Sequence, residues 1–241
     1  MLEIQFTSDM VVKPIQSMGS DQAIAAAAKA SIDGIDSILR LLEAGEEVGG
    51  LIRYCMRHRH GSPFEHSAIT VVVRVPIFVL RQWHRHRIGF SYNEESGRYK
   101  QLEPLFWIPR RERLMIPAPG YKPARPKFVL ANDHQYEVVK TSIEASSRQA
   151  WASYREALNA GIASEVARSV LPVNLYSTCW VTCNPRSLMS FLSLRTHEPT
   201  ATFPSYPQAE IEEAARAAED VLRQGWPLTH AAFVSHGRVA P

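Results

Sequence analysis

The sequence predicts an α+β protein, one domain over residues 1–241 with a small mixed or antiparallel sheet packed by helices. Three observations predict it. Strand-like stretches are few and short, and His66 to Val75 (HSAITVVVRV) is the clearest. Helical patterns occupy much of the rest. No internal repeat and no clear linker divides the chain. At 241 residues, 45% of them hydrophobic and 21% charged, the chain is long enough for a real core and ordinary for a globular protein.

Leu2 to Phe6 reads as a strand, and Val11 to Ile15 as a second. Asp21 is placed to cap an Ala-rich helix running to Ala30. Gly34 interrupts, and helical spacing resumes over Ile35 to Leu42 and Glu46 to Arg57. After the His66–Val75 strand, Pro76 suits the first position of a helix to Arg87. Ile77, Leu80 and His84 share one face of it, and Gly89 stops it. Residues 88–130 read as a long functional loop with short strands. Asn132 caps a long helix to Ala160, and a short helix follows from Ser164 to Val170. Leu175 to Val181 is a strand. Asn184 caps a helix to Arg195 with Pro185 at its first position. Residues 196–207 are loop, and Gln208 to Gln224 is an amphipathic helix.

The formal net charge is +3, too small for a nucleic-acid coat, but Arg and His crowd into residues 53–60 and 81–87. Such local positive charge suits a small anion. A solvated basic face, or a nucleic-acid module with steep salt dependence, is the competing reading. Three cysteines, Cys55, Cys179 and Cys183, argue against a disulfide scaffold and for a reducing, cytoplasmic setting. The N-terminus has no signal-peptide pattern, and no apolar run is long enough to span a bilayer. His58 with His60, and His84 with His86, form HxH pairs, but the surrounding arginines repel a dication, so no metal site is expected.

The densest segment is Arg81 to Tyr99, RQWHRHRIGFSYNEESGRY. Its arginines match phosphate oxygens with paired donors, and its Gln, Ser and Asn side chains grip an amide or base edge. Interleaved Trp83, Phe90 and Tyr92 are unusual for a solvated loop. No GxGxxG or Walker loop is present.

RHRIGFSYNEESGRY resembles the signature of the flavin-dependent thymidylate synthases, RHR followed after seven or eight residues by Ser; here eight residues separate Arg87 from Ser96. MGSDQAIAAAAKAS, HGSPFEH, PIFVLRQW, ARSVLPVNLY and NPRSLMSFLSLR are similar to family blocks and stand in family order over residues 17–195. The resemblance implies a homotetramer with active sites shared between subunits. It also implies FAD as cofactor, and NADPH and 5,10-methylenetetrahydrofolate as co-substrates for methylation of dUMP to dTMP. Neither nucleic acid nor membrane is an expected partner.

The resemblance places Gln82, Trp83, His84, Arg85, Glu94, Glu95, Ser96, Gly97, Arg98, Arg168 and Arg195 at dUMP positions. Ser62, Glu65, Arg85, His86, Arg87, Glu94, Asn184, Pro185, Arg186 and Ser190 fall at FAD positions, and His60 and Tyr99 near the folate and flavin rings. Arg195 matches the arginine that favours ionisation of uracil N3 and is the expected catalytic residue; Ser96, without a base, reads as a positioning donor. Three departures stand out. Phe90 is an extra residue that should bulge the loop, and Ser190 and Ser62 replace Asn and Thr. After Arg195 the sequence THEPTATFPSYP leaves the family pattern, with His197 a candidate substitute for lost contacts.

Overall fold

The computed structural model of the protein describes residues 3–43 and 47–241. The expected starts of the first strand at Leu2 and of the third helix at Glu46 lie outside the described residues. In chain order the elements are β1 (Gln5–Thr7), β2 (Val11–Met18), α1 (Asp21–Lys29), α2 (Ile35–Glu43) and α3 (Gly49–Arg57). A 3-10 turn (Ser62–Glu65) leads to β3 (Ala68–Pro76), α4 (Ile77–Trp83), β4 (Phe90–Glu94), β5 (Leu105–Trp107), β6 (Leu114–Pro117) and β7 (Phe128–Leu130). Then come α5 (Asp133–Asn159), α6 (Ser164–Ala167), a 3-10 turn (Arg168–Val170), β8 (Tyr176–Cys183), α7 (Pro185–Arg195), α8 (Ala209–Gly225) and α9 (Pro227–Ser235). The fold is α+β, with a four-stranded sheet in the order β2-β3-β8-β4 and two small two-stranded pairs.

The chain forms two compact units. The first comprises the residues up to Met10, Arg74–Arg81 and Glu94–Cys179. Here β1 pairs in parallel with β5, Phe6 opposite Phe106, and β6 pairs antiparallel with β7. Its core joins Phe106, Trp151, Tyr154, Ala167 and Leu175. The long α5 begins with a reciprocal capping box: Asn132 accepts from the Gln135 N–H, and the Gln135 side chain accepts from the Asn132 N–H.

The second unit comprises Val11–Val73, Gln82–Asn93 and Trp180–Pro241. α8 packs on α7, α9 and β2, and α3 on α1 and α9. Ile211, Ala214, Ala215, Ala218 and Leu222 line the buried face of α8 at helical spacing.

Four expectations need correction. Ser20, not Asp21, caps α1 by accepting from the Ala23 N–H. The buried Asp21 carboxylate accepts instead from the Leu228 and Thr229 N–H groups and the Thr229 hydroxyl, capping the start of α9, a helix the sequence pattern missed. β2 runs on through Pro14 to Met18, which an edge strand tolerates because its outward N–H needs no partner. α4 stops at Trp83 rather than Arg87, and Pro76 closes β3 rather than opening the helix. The Tyr92 hydroxyl donates to the carbonyls of Trp83 and His86, so the chain beyond Trp83 leaves the helix without orphaning either oxygen.

Candidate active site

In the second unit the sequence Arg85-His86-Arg87 forms an open turn between α4 and β4. It closes with an N–H to carbonyl bond from His86 to Trp83, and Gly89 at φ +68° starts the return into β4. The extra residue after Ile88 is Phe90. It is the first residue of β4, and its ring stacks on Tyr92 and leans on His86 and Phe191. A side chain at Gly89 would strike the Ser187 hydroxyl, so this turn lies flush against the first turn of α7. There Asn184 accepts from the Ser187 N–H at 2.8 Å, as a helix cap should, and Pro185 takes the first helical position.

Arg195 is the last residue of α7. Its Nε donates to His86 Nε2 at 3.0 Å, and its terminal nitrogens face the Gln82 side-chain and backbone oxygens at 3.5 and 3.4 Å. No carboxylate pairs with it among the described residues. Burial and the neighbouring Arg85 both lower its proton affinity. His86 is held down to about 4, first by burial and then by the Arg195 charge. It is therefore neutral, and its Nε2 lone pair is what the guanidinium uses. Gln82 also donates to the Gln208 side chain.

Arg186 pairs with Glu65 at 2.5 Å and donates through Nε to the Pro241 carbonyl. Gly61 permits this arrangement, since a Cβ there would lie 2.4 Å from the guanidinium carbon. Ser62 opens the adjacent 3-10 turn and Ser190 is exposed on α7. His60 lies at the edge of Tyr54, which also packs on His58. His84 meets Tyr92 edge-on, and Trp83 is buried against Phe191.

The first unit holds the rest. Glu94 accepts from the Ser177 hydroxyl at 2.7 Å. Glu95 accepts from the Thr178 N–H and pairs with Lys100 at 2.7 Å, which raises the proton affinity of that lysine. The Ser96 hydroxyl accepts from the Arg98 N–H at 3.3 Å, and among the described residues neither a histidine nor a carboxylate bonds it. That geometry fits a positioning hydroxyl rather than a nucleophile. Gly97 is buried where an added Cβ would press on Leu102 and the Arg168 stem. Arg98 pairs with Glu165 at 3.0 Å, leaving Arg168 without that partner, and stacks on the exposed Tyr99.

The sequence pattern missed Tyr92, Ser177 and Ser187 as supports of these groups. It also missed an inner layer of the second unit. There Arg238, 8% exposed, pairs with Glu219 through both terminal nitrogens and donates to the Thr196 hydroxyl. Thr196 follows Arg195 directly. The divergent stretch after Arg195 is pinned as well: the His197 backbone N–H donates to Glu212, and its ring Nδ1–H donates to the Ser205 carbonyl. The three cysteines are buried and form no disulfide with one another, and burial pushes Cys183 up to about 12.

Residues 14–228 match the family model described as thymidylate synthase complementing protein. A flavin-dependent thymidylate synthase of Streptomyces coelicolor is 48% identical over 239 residues, covering 99% of this chain and 96% of the relative. One from Thermotoga neapolitana is 38% identical over 225 residues, covering 93% and 91%. The UMP/dUMP methylase PolB of Streptomyces cacaoi, solved with 5-Br dUMP and with 5-Br UMP, superposes with a TM-score of 0.89 at 42% identity, covering 99% of this chain and all of that one. Family match and full-length identity agree with the motif at Arg85 to Ser96, and this chain belongs to the flavin-dependent thymidylate synthases, the FAD-dependent methyltransferases of dTMP synthesis.

Proposed function

We propose that the whole chain acts as one catalytic domain that converts dUMP to dTMP, taking the one-carbon unit from 5,10-methylenetetrahydrofolate and reducing equivalents from NADPH. The observation that carries the chemistry is Arg195: a half-buried guanidinium with no carboxylate partner, fixed by His86 and Gln82 and crowded by Arg85. An unpaired, preoriented cation is suited to stabilise negative charge on a uracil ring, which makes C5 more nucleophilic without a covalent enzyme adduct. The buried thiols and unassisted Ser96 offer no competing nucleophile.

The residues fit a flavin dinucleotide. Arg85 and Arg87 are exposed cations without ion-pair partners among the described residues, and Gly89 lies flush against the capped start of α7. Arg85, Arg87, Arg186 and Asn184 would hold its phosphates and adenosine, with Ser62, Glu65, His86, Glu94, Pro185 and Ser190 as further contacts. Bound FAD supplies the hydride chemistry. Arg85, Ser96, Arg98 and Arg168 would hold the dUMP phosphate and sugar, with Gln82, Trp83, His84, Glu94, Glu95 and Gly97 around the base. His60 and Tyr99 border the folate. By the family pattern the working form is a cytoplasmic homotetramer with shared sites.

The test is turnover of purified protein reconstituted with FAD. Flavin bleaching by NADPH that dUMP accelerates, followed by dTMP formation with folate, is expected. Arg195→Ala should keep its FAD and fold but lose roughly 10²- to 10³-fold in turnover, as removal of one charge-stabilising donor does. Protein that takes up no FAD, or an Arg195→Ala variant with full turnover, overturns the reading. A second reading, methylation of UMP, is favoured by the 5-Br UMP complex of the 42% identical methylase. Competition between UMP and dUMP for one-carbon transfer decides between them.

A further inference from the structure

Resting on that reading of Arg195, we propose that His86 is its positioning residue, and that the extra aromatic Phe90 keeps His86 in the only state able to do so. His86 thereby acts through Arg195 as well as at the flavin position already given to it.

The donor in the contact is the Arg195 Nε–H, so His86 must offer a lone pair at Nε2. A protonated imidazole has none and would instead set two cations against each other. The neutral state is enforced by the surroundings. The Phe191 ring meets His86 edge-on at 4.9 Å, and Phe90 lies at 6.3 Å. Phe90 is in turn held by its stack on Tyr92, whose hydroxyl closes on the His86 carbonyl. The charged groups about the ring are cationic. Arg195 approaches from α7, and Arg85 and Arg87 flank His86 on its own turn, while β4 presents the rings of Phe90 and Tyr92. No carboxylate is present in this set to favour protonation. Aromatic enclosure and cationic neighbours therefore act in the same direction, and the proton affinity is lowered accordingly.

The guanidinium gains a fixed plane from this. Its Nε is held by His86, while its terminal nitrogens meet Gln82 at longer distances, 3.4 and 3.5 Å. The shorter contact sets the orientation, and the terminal nitrogens are left to reach a ligand.

Two variants of the reconstituted holoenzyme test this. His86→Phe keeps an aromatic ring against Phe191 but offers no acceptor. His86→Gln gives up the ring but presents an amide oxygen at comparable reach. We expect kcat for dTMP formation to fall roughly 10- to 100-fold in His86→Phe, the usual cost of losing an orienting partner. With turnover measured at saturating FAD, so that any change in flavin affinity is set apart from kcat, His86→Gln should recover most of the loss. The reverse order, with Phe better than Gln, makes His86 a packing residue and overturns the proposal. So does a His86→Phe variant whose kcat at saturating FAD equals that of wild type and which only needs more FAD, because its defect then lies in flavin binding alone. In Phe90→Ala the acidic limb of kcat should move upward in pH relative to wild type, toward the ordinary histidine range; an unmoved limb overturns the role given to Phe90. The failures are separable. If wild type turns over and Arg195→Ala is impaired while His86→Phe is not, this inference alone falls. If wild type makes no dTMP, the reaction assigned to Arg195 falls, and this inference with it.

Discussion

Side chains at this site are held by close partners more than by their own helices. Arg186 lies where a Cβ on Gly61 would sit 2.4 Å from its guanidinium carbon. In Gly61→Ala the guanidinium has to move and the Glu65 pair opens. We expect weaker FAD retention with little loss of stability, since both partners are half-exposed and such pairs contribute at most about 1 kcal/mol. Flavin retained on gel filtration as in wild type would contradict this. The thiols give a second expectation. Cys55 and Cys183 are raised by burial and Cys179 is buried on β8, so a colorimetric thiol reagent at pH 8 should titrate none of them before denaturant is added. Rapid reaction of any one would mean that its strand or helix opens in the native state.

Among the elements, α7 and the turn before β4 form one construction. Gly89→Ala places a methyl 2.1 Å from the Ser187 hydroxyl on a backbone at φ +68°. The strain costs about 1–3 kcal/mol. A lower Tm with parallel loss of FAD is expected, and a variant indistinguishable from wild type would sever the link between turn and helix. Sequence reading recovered α5 and α7 well because their signals are local. Asn132 with Gln135, and Asn184 with Pro185, are capping patterns three residues or fewer in span. It overran α4 by four residues because the signal that ends this helix is not local. The Tyr92 hydroxyl reaches back nine residues to the Trp83 carbonyl, and nothing in the 81–87 pattern shows it. α9 was missed for a similar reason: its cap, Asp21, comes from the other end of the chain and looked like the cap of its own helix. The candidate residues of the site come from motif resemblance. Their pairings, such as Arg98 with Glu165, depend on the folded backbone and were not legible in the sequence.

For the whole molecule, acid is the revealing perturbation. Burial alone would raise the Glu219 carboxyl. The hydrogen bonds and charges of His230 and Arg238 outweigh that and hold it at about 2, below its ordinary 4.5. Because the folded value is depressed, the stabilisation is complete above pH 4.5 and is lost as pH falls toward 2. Glu219→Gln should lower stability at pH 7 by roughly 3 kcal/mol, the scale for breaking a buried pair. The gap between variant and wild type should then narrow between pH 4.5 and 2 in denaturant titrations, and a constant gap would contradict the sign. Arg238 also bonds Thr196, so the loss should be accompanied by a fall in turnover through Arg195.

Asp21 also bears on how the protein is made. Its carboxylate waits for Thr229, which lies 208 residues later in the chain. During synthesis α1 leaves the ribosome long before the helix that Asp21 caps, and until then this carboxylate has only water to accept from. The second unit is also built from three separated stretches, the last beginning at Trp180. Its completion therefore waits for the stretch from Trp180 onward, and emergence of that stretch, rather than growth of any one earlier helix, sets when the second unit can first close.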